Sequence, residues 1–206
     1  LNALIRIATK HDLILRIEFP PGRFVTEGEC MFTAYPCDRV TNKVADSLRS
    51  ELVIGRNRTF DQDVEFSIWR IVELAQRSLS PGINDPTTAI YCIDRLGELF
   101  IRMSGRDVPS PIRLDKNGQL RIKTEVENPA ELICHAFSAI ARYGISDVDV
   151  VVRLVDTIEK LSRSLPPAAC EAITTLRDQV LIEGEGHAST SFDRNAMQKL
   201  LARQKL

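Results

Sequence analysis

No uncharged run in this 206-residue sequence approaches the length of a membrane span: stretches such as 136–141 fall far short of the roughly 20 apolar residues required. Charge of one sign is also missing. Lys+Arg 27 against Asp+Glu 28 leaves a net charge of -1, so the chain as a whole offers no long-range attraction to nucleic acid or to an anionic surface. The five cysteines are odd in number and scattered, and the Cys30–Cys37 spacing has no second Cys or His pair downstream, which excludes a zinc knuckle. Their apolar settings lead us to expect a reducing, intracellular compartment. The opening Leu1-Asn2-Ala3-Leu4-Ile5-Arg6 has neither the basic start nor the apolar centre of a signal peptide, and with no initiating Met we expect a fragment of a longer protein. Internal repeats and low-complexity tracts are absent.

What is present is a 44% hydrophobic chain able to bury a core. Residues 3–11 fit a short helix. Leu13, Leu15, Ile17 and Phe19 alternate with Ile14, Arg16 and Glu18 as in a half-buried strand, and Met31 to Tyr35 supply a second one after the Pro20-Pro21-Gly22 break. A connecting helix over 39–50 and a short returning strand at Leu52-Val53-Ile54-Gly55 complete a β-hairpin lobe. The period then becomes helical, with stripes predicting central helices over 61–79 and 86–104. Ile112 to Leu114 and Leu120 to Ile122 read as a hairpin turning at Asn117-Gly118. Further helices are expected from Pro129 to near Gly144, over 147–164, and onward from Pro166-Pro167. Glu183 to Ser189 has the composition of a flexible linker, ahead of a short C-terminal helix carrying Met197, Leu200 and Leu201 as a docking or oligomer element. The expected fold is α+β, mainly α: a helical bundle with a small N-terminal β-hairpin lobe and one inserted hairpin. The expected domains are a lobe at 1–57, a helical core at 58–184 that contains the hairpin near 110–123, and a linker plus helix at 185–206.

Unusual residues are densest between Arg56 and Asp94. They comprise Arg58-Thr59, Gln62-Asp63, Arg70, and then Ser80-Pro81-Gly82-Ile83-Asn84-Asp85-Pro86-Thr87-Thr88-Ala89, continuing into Cys92-Ile93-Asp94-Arg95-Leu96. With His11-Asp12-Leu13, Pro21-Gly22-Arg23-Phe24-Val25, His135-Ala136-Phe137 and Ala141-Arg142-Tyr143-Gly144, this pattern resembles the bacterial predicted-membrane-protein family known as domain of unknown function 2254, down to about residue 165. The resemblance implies the cytoplasmic part, on the inner-membrane face, of a protein whose transmembrane region lies outside this chain. It implies no reaction.

Read as chemistry, the motif has a structural and a functional side. Asp85 is a natural N-cap, accepting from the amide of Thr87 or Thr88, with Pro86 at the first helical position; Gly82 and Asn84 tolerate positive φ in the turn before it. A tight connection between helices accounts for these residues but not for Arg58, Gln62, Asp63, Arg70 and Asn84 beside them. On a helix Asp63 and Arg70 would share a face. The ligand-binding candidates are therefore Arg58, Gln62, Asp63, Arg70, Ser80, Asn84, Asp85, Thr87 and Thr88. Ser80 lacks a Gly-x-Ser-x-Gly elbow, and Asp63, Asp85 and Asp94 lack the spacing of a helical metal motif. His135, within an apolar stripe, reads as a core or interface residue. No metal or cofactor is expected. Two functions follow. One is a non-catalytic cytoplasmic module for assembly, ligand sensing or gating, forming a homo-oligomer and contacting its own transmembrane region. The other is an enzyme whose Arg/Asp/Asn site at the start of the 86–104 helix holds a small anionic substrate.

Overall fold

The computed structural model describes residues 1–60, 63–126 and 128–203; Gln62, a candidate above, lies outside them. The fold is α+β and mainly α, with eight α-helices and one four-stranded mixed sheet among the described residues. Two compact units divide the chain, the first comprising residues 1–64 and 108–126, the second 65–107 and 127–206.

In the first unit, α1 (Asn2–Lys10) buries Leu4 and Ala8, two positions one helical turn apart. Strand β1 (Ile14–Ile17) pairs antiparallel with β2 (Phe32–Tyr35), and α2 (Asn42–Arg49) follows, its first turn capped by the Thr41 hydroxyl oxygen accepting from Val44 N–H. The hairpin of β3 (Ile112–Leu114) and β4 (Leu120–Thr124) joins this sheet: β4 runs parallel to β1, with Leu15 opposite Ile122, and the strand order is β2-β1-β4-β3. Leu4, Ala8, Leu13, Leu15, Val44, Leu48 and Ile122 make the core of the unit.

Three sequence expectations change here. The hairpin predicted as an insertion in the helical domain is instead a pair of strands in the N-terminal sheet, because β1 had a free flank that only a distant segment filled. No strand forms at residues 52–55; both flanks of β1 are taken by β2 and β4, and Val53 and Ile54 stand 97% and 72% exposed. In the β3–β4 turn Gly118 has φ of +76° and Asn117 is not left-handed, so this is not the two-residue turn that an Asn-Gly pair signals. The Asp115 carboxylate holds the wider turn, Oδ1 accepting from Asn117 N–H at 2.9 Å and Gln119 N–H at 3.0 Å.

The second unit is built on α5 (Pro129–Gly144) and α6 (Val148–Ser162), capped by Asn128 and Asp147. Helix α6 packs against α4 (Pro86–Ser104), α5, α7 (Pro167–His187) and α8 (Ser191–Arg203). It takes the central place expected of the helices at 61–79 and 86–104. Helix α3 (Val64–Ser78) buries Ile68, Val72 and Ala75 but leaves Leu74 exposed, and α4 leaves Tyr91 exposed. Close approach of α4 to α6 rests on Gly97, where an added Cβ would lie 2.6 Å from Thr157 Cγ2. Phe100 and Phe137 meet edge to face at 5.8 Å.

The expected flexible linker at 183–189 is helical as far as His187. Gly184 faces α6, and a Cβ there would lie 2.7 Å from Val151 Cγ1, so its missing side chain serves packing. Helix α8 also departs from expectation, since Met197 and Leu200 are buried in the core of the unit and are not presented to a partner. His135 points outward and is exposed, on the opposite side of α5 from Ala136 and Phe137.

Candidate functional site

The sequence candidates fall in both units. In the first, Arg58 grips Asp63 with two parallel bonds, Nε donating to Oδ2 at 2.6 Å and Nη2 donating to Oδ1 at 2.7 Å. The Asp63 side chain is only 5% exposed, so this fork, the strong geometry for an Arg–carboxylate pair, satisfies a buried charge. Asp63 stands ahead of α3 and not on it, so it shares no helical face with Arg70. The pair rests against Gly22: a Cβ built there would lie 1.7 Å from Asp63 Oδ2 and 3.0 Å from Arg58 Nε, and Gly22 has φ of +87°. Two segments 40 residues apart that the sequence showed only as separate motifs are thus one contact. No signal in a single sequence pairs them.

In the second unit Arg70, on α3, pairs with Glu73 one turn along its own helix, and Arg77 pairs with the same carboxylate at 2.9 Å. Helix α3 is tied to α5 by Gln76 Nε2 donating to the Ala139 carbonyl at 3.1 Å. At its end the chain turns tightly: Ile83 and Asn84 N–H donate to the Ser80 carbonyl at 3.0 and 2.9 Å, and Asp85 N–H donates to that of Ser78 at 2.7 Å. Asn84 has φ of +48°, as expected, whereas Gly82 does not have positive φ and a Cβ there would meet nothing within 4 Å. The Ser80 hydroxyl donates to the Arg77 carbonyl at 2.7 Å, so it is bound to backbone.

Asp85 caps α4 as its position predicts. Thr88 N–H donates to Oδ1 at 3.0 Å and Thr88 Oγ1 donates to Oδ2 at 2.5 Å, with Pro86 in the first turn. Hydrogen bonds from the Thr88 hydroxyl and then the Thr88 amide hold the Asp85 carboxyl below the usual carboxylate range, so it is an anion at neutral pH and a poor proton acceptor. Thr87 is exposed at the same helix start.

A charge network that sequence reasoning missed, buried at Arg121 and Asp115 and exposed at Asp12, lies in the sheet of the first unit. Arg121, with a side chain 6% exposed, donates from Nε to Asp115 Oδ2 and from Nη1 to Asp12 Oδ1, each at 2.8 Å. Arg39 also donates to Asp12. Bonds from Arg121 depress both carboxyls, helped by Arg39 at Asp12 and by the Gln119 amide at Asp115. An arginine between Leu120 and Ile122 reads as solvent-facing, and only the tertiary pairing of β4 with β1 encloses it. Beside it lies an open groove of about 590 Å³ lined by Asp12, Tyr35, Asp38, Arg39, Gln119 and Arg121. A second, of about 500 Å³, runs along Cys134, Ser138, Glu171, Thr175 and Gln179. Neither is lined by a described residue of the 58–63 or 80–88 motifs. Among the described residues no three His, Cys, Asp or Glu side chains converge as a metal site would require.

Comparison with known proteins places this geometry in context. The uncharacterized protein Rv1290c of Mycobacterium tuberculosis and the uncharacterized protein Mb1321c of Mycobacterium bovis are each 29% identical to the chain over 123 residues, which is 59% of this chain and 24% of theirs. The chain thus matches about a quarter of the length of these relatives. No solved structure matches it. Among the described residues no helix is long and apolar enough to cross a membrane. The family model described as "Predicted membrane protein (DUF2254)" matches residues 1–160, and the chain belongs to that family of predicted membrane proteins of unknown function.

Proposed function

We propose that this chain is a non-catalytic module on the cytoplasmic face of a bacterial inner-membrane protein, working in assembly, ligand sensing or gating with its own transmembrane region and with further copies of itself. The observation that carries this reading is that Arg58, Asp63, Arg70, Ser80, Asp85 and Thr88 of the motif are each bonded within the fold. Asp63 is gripped by Arg58, Arg70 pairs with Glu73, the Ser80 hydroxyl donates to backbone, and both oxygens of Asp85 accept from Thr88. A base or nucleophile would have to leave such a bond before acting. The enzyme alternative needs an anionic substrate at the start of α4, where the Asp85 carboxylate already occupies the positive end of the helix dipole. Exposed Leu74, Ile83 and Tyr91 on the second unit support a role in contacts between copies.

Substitution of Asp85 tests the reading. Asn and Ser cap comparably well, so Asp85→Asn and Asp85→Ser should hold the melting temperature within about 1 °C, whereas Asp85→Ala should lower it by about 2–4 °C. The full-length protein carrying Asn or Ser should complement a deletion strain. An Asp85→Asn protein that melts normally yet fails to complement would mean the carboxylate acts on a ligand, which would end the reading of the motif as purely structural and leave ligand sensing or the enzyme alternative. Light scattering should report an oligomer; a strict monomer at high concentration would remove the assembly role.

A further inference from the structure

Helix α4 turns one face to solvent from Thr87 to Arg102. Tyr91, Arg95, Glu98 and Arg102 follow one another along it at intervals of four, three and four positions, the spacing that keeps side chains in a single seam of a helix. Tyr91 is 65% exposed, and the side chains of Arg95 and Arg102 are 75% and 74% exposed. Glu98 sits between the two arginines and accepts from both, from Arg95 at 2.9 Å and from Arg102 at 2.7 Å. The remaining charge of α4, Asp94, is drawn aside to Arg153 of α6 at 3.0 Å. Helix α3 also carries an Arg70–Glu73–Arg77 triad, but the aromatic residue at the matching place, Phe66, is partly buried.

We infer that this seam is an isologous contact with a second copy of the chain, in which α4 meets the partner's α4 antiparallel about a two-fold axis. The order of the seam selects the occupant, because the seam is complementary to itself turned end for end. With the axis midway between Arg95 and Glu98, Arg95 faces the partner's Glu98 and Tyr91 faces the partner's Arg102. The two Arg95 and two Glu98 groups then form a square in which opposite charges adjoin along every side, and each Arg102 guanidinium lies on an aromatic ring. A parallel, in-register pairing would instead set each charge against its own kind. Tyrosine and arginine are also the residue types enriched at the energetic centres of interfaces. The inference rests on the homo-oligomeric part of the proposed function and names the surface through which copies meet.

Charge reversal in the 206-residue chain, followed by light scattering and sedimentation, tests the seam. Arg95→Glu makes the central square wholly negative and Glu98→Arg makes it wholly positive, so each variant should raise the dimer dissociation constant about a hundredfold or more. Both should stay folded by circular dichroism, since both side chains lie on the solvent face of the helix. Mixed together, the two variants should form a heterodimer, because every charge that meets the axis then faces its opposite. The matching reversals on α3, Arg70→Glu and Glu73→Arg, should leave the dimer intact. A natural-sequence dimer that neither α4 reversal weakens, a pair of weakened variants that fails to recover on mixing, or a dimer dissolved by the α3 reversals would overturn the seam and leave the assembly role standing. A strictly monomeric natural chain would remove both.

Discussion

At the scale of single residues, Gly22 and Asp63 depend on each other. Left-handed backbone makes any side chain at Gly22 strained, and the carboxylate of Asp63 fills the space a Cβ would need. Gly22→Ala must therefore displace Asp63 from the Arg58 fork. We expect a loss on the order of 2–3 kcal/mol, similar to that of Arg58→Ala, because each change leaves a buried carboxylate without its paired donors. The double variant should cost little more than either single change, and a double-mutant cycle in urea measures this coupling. Fully additive losses would mean that glycine and ion pair act independently. Gly82, by contrast, should accept alanine with little effect on stability, since neither its φ nor its surroundings demand glycine.

At the scale of the elements, α7 carries two glycines of opposite meaning. A Cβ at Gly184 would collide with Val151 of α6, whereas at Gly186 it would enter open space. Gly184→Ala should destabilise the protein by about 1–3 kcal/mol, the usual penalty for overpacking a contact between helices. Gly186→Ala should stabilise it by roughly 0.5–1 kcal/mol, because the unfolded chain loses the conformational freedom that glycine gives it. Thermal denaturation followed by circular dichroism distinguishes the signs, and equal effects at both positions would contradict the close packing of α7 on α6. The sequence reads both as linker glycines because composition carries no record of the facing helix.

At the scale of the whole molecule, acid stability follows from the Arg121 network. The folded-state carboxyls of Asp12 and Asp115 are depressed, so their contribution is fully present above the unfolded aspartate value of about 3.9 and is lost as pH falls through the lower folded values. Asp115→Asn should therefore lower stability at pH 7 and flatten the decline between about pH 4 and pH 2 relative to the natural sequence. Urea unfolding midpoints across that range are the measurement; an unchanged acid slope would show that Asp115 is not linked to folding. The network closes only when β4 has paired with β1, joining residues more than 100 positions apart.

That separation also marks how far the sequence reaches. Local pattern was enough for α1, β1, β2, α4, α5 and α6, and for the Asp85–Pro86 start of α4, because periodicity, caps and turn residues act within a few positions. The family resemblance was legible as well, and the family match over residues 1–160 bears it out. Only tertiary structure decided that the 112–124 hairpin completes the N-terminal sheet, that Arg121 is enclosed, that Gly22 seats the Arg58–Asp63 fork and that α8 spends its apolar stripe inside the second unit. Each of these is a contact between distant segments, fixed by which flank or cavity remains open once the local elements have formed, and a linear pattern holds no information about that remaining space.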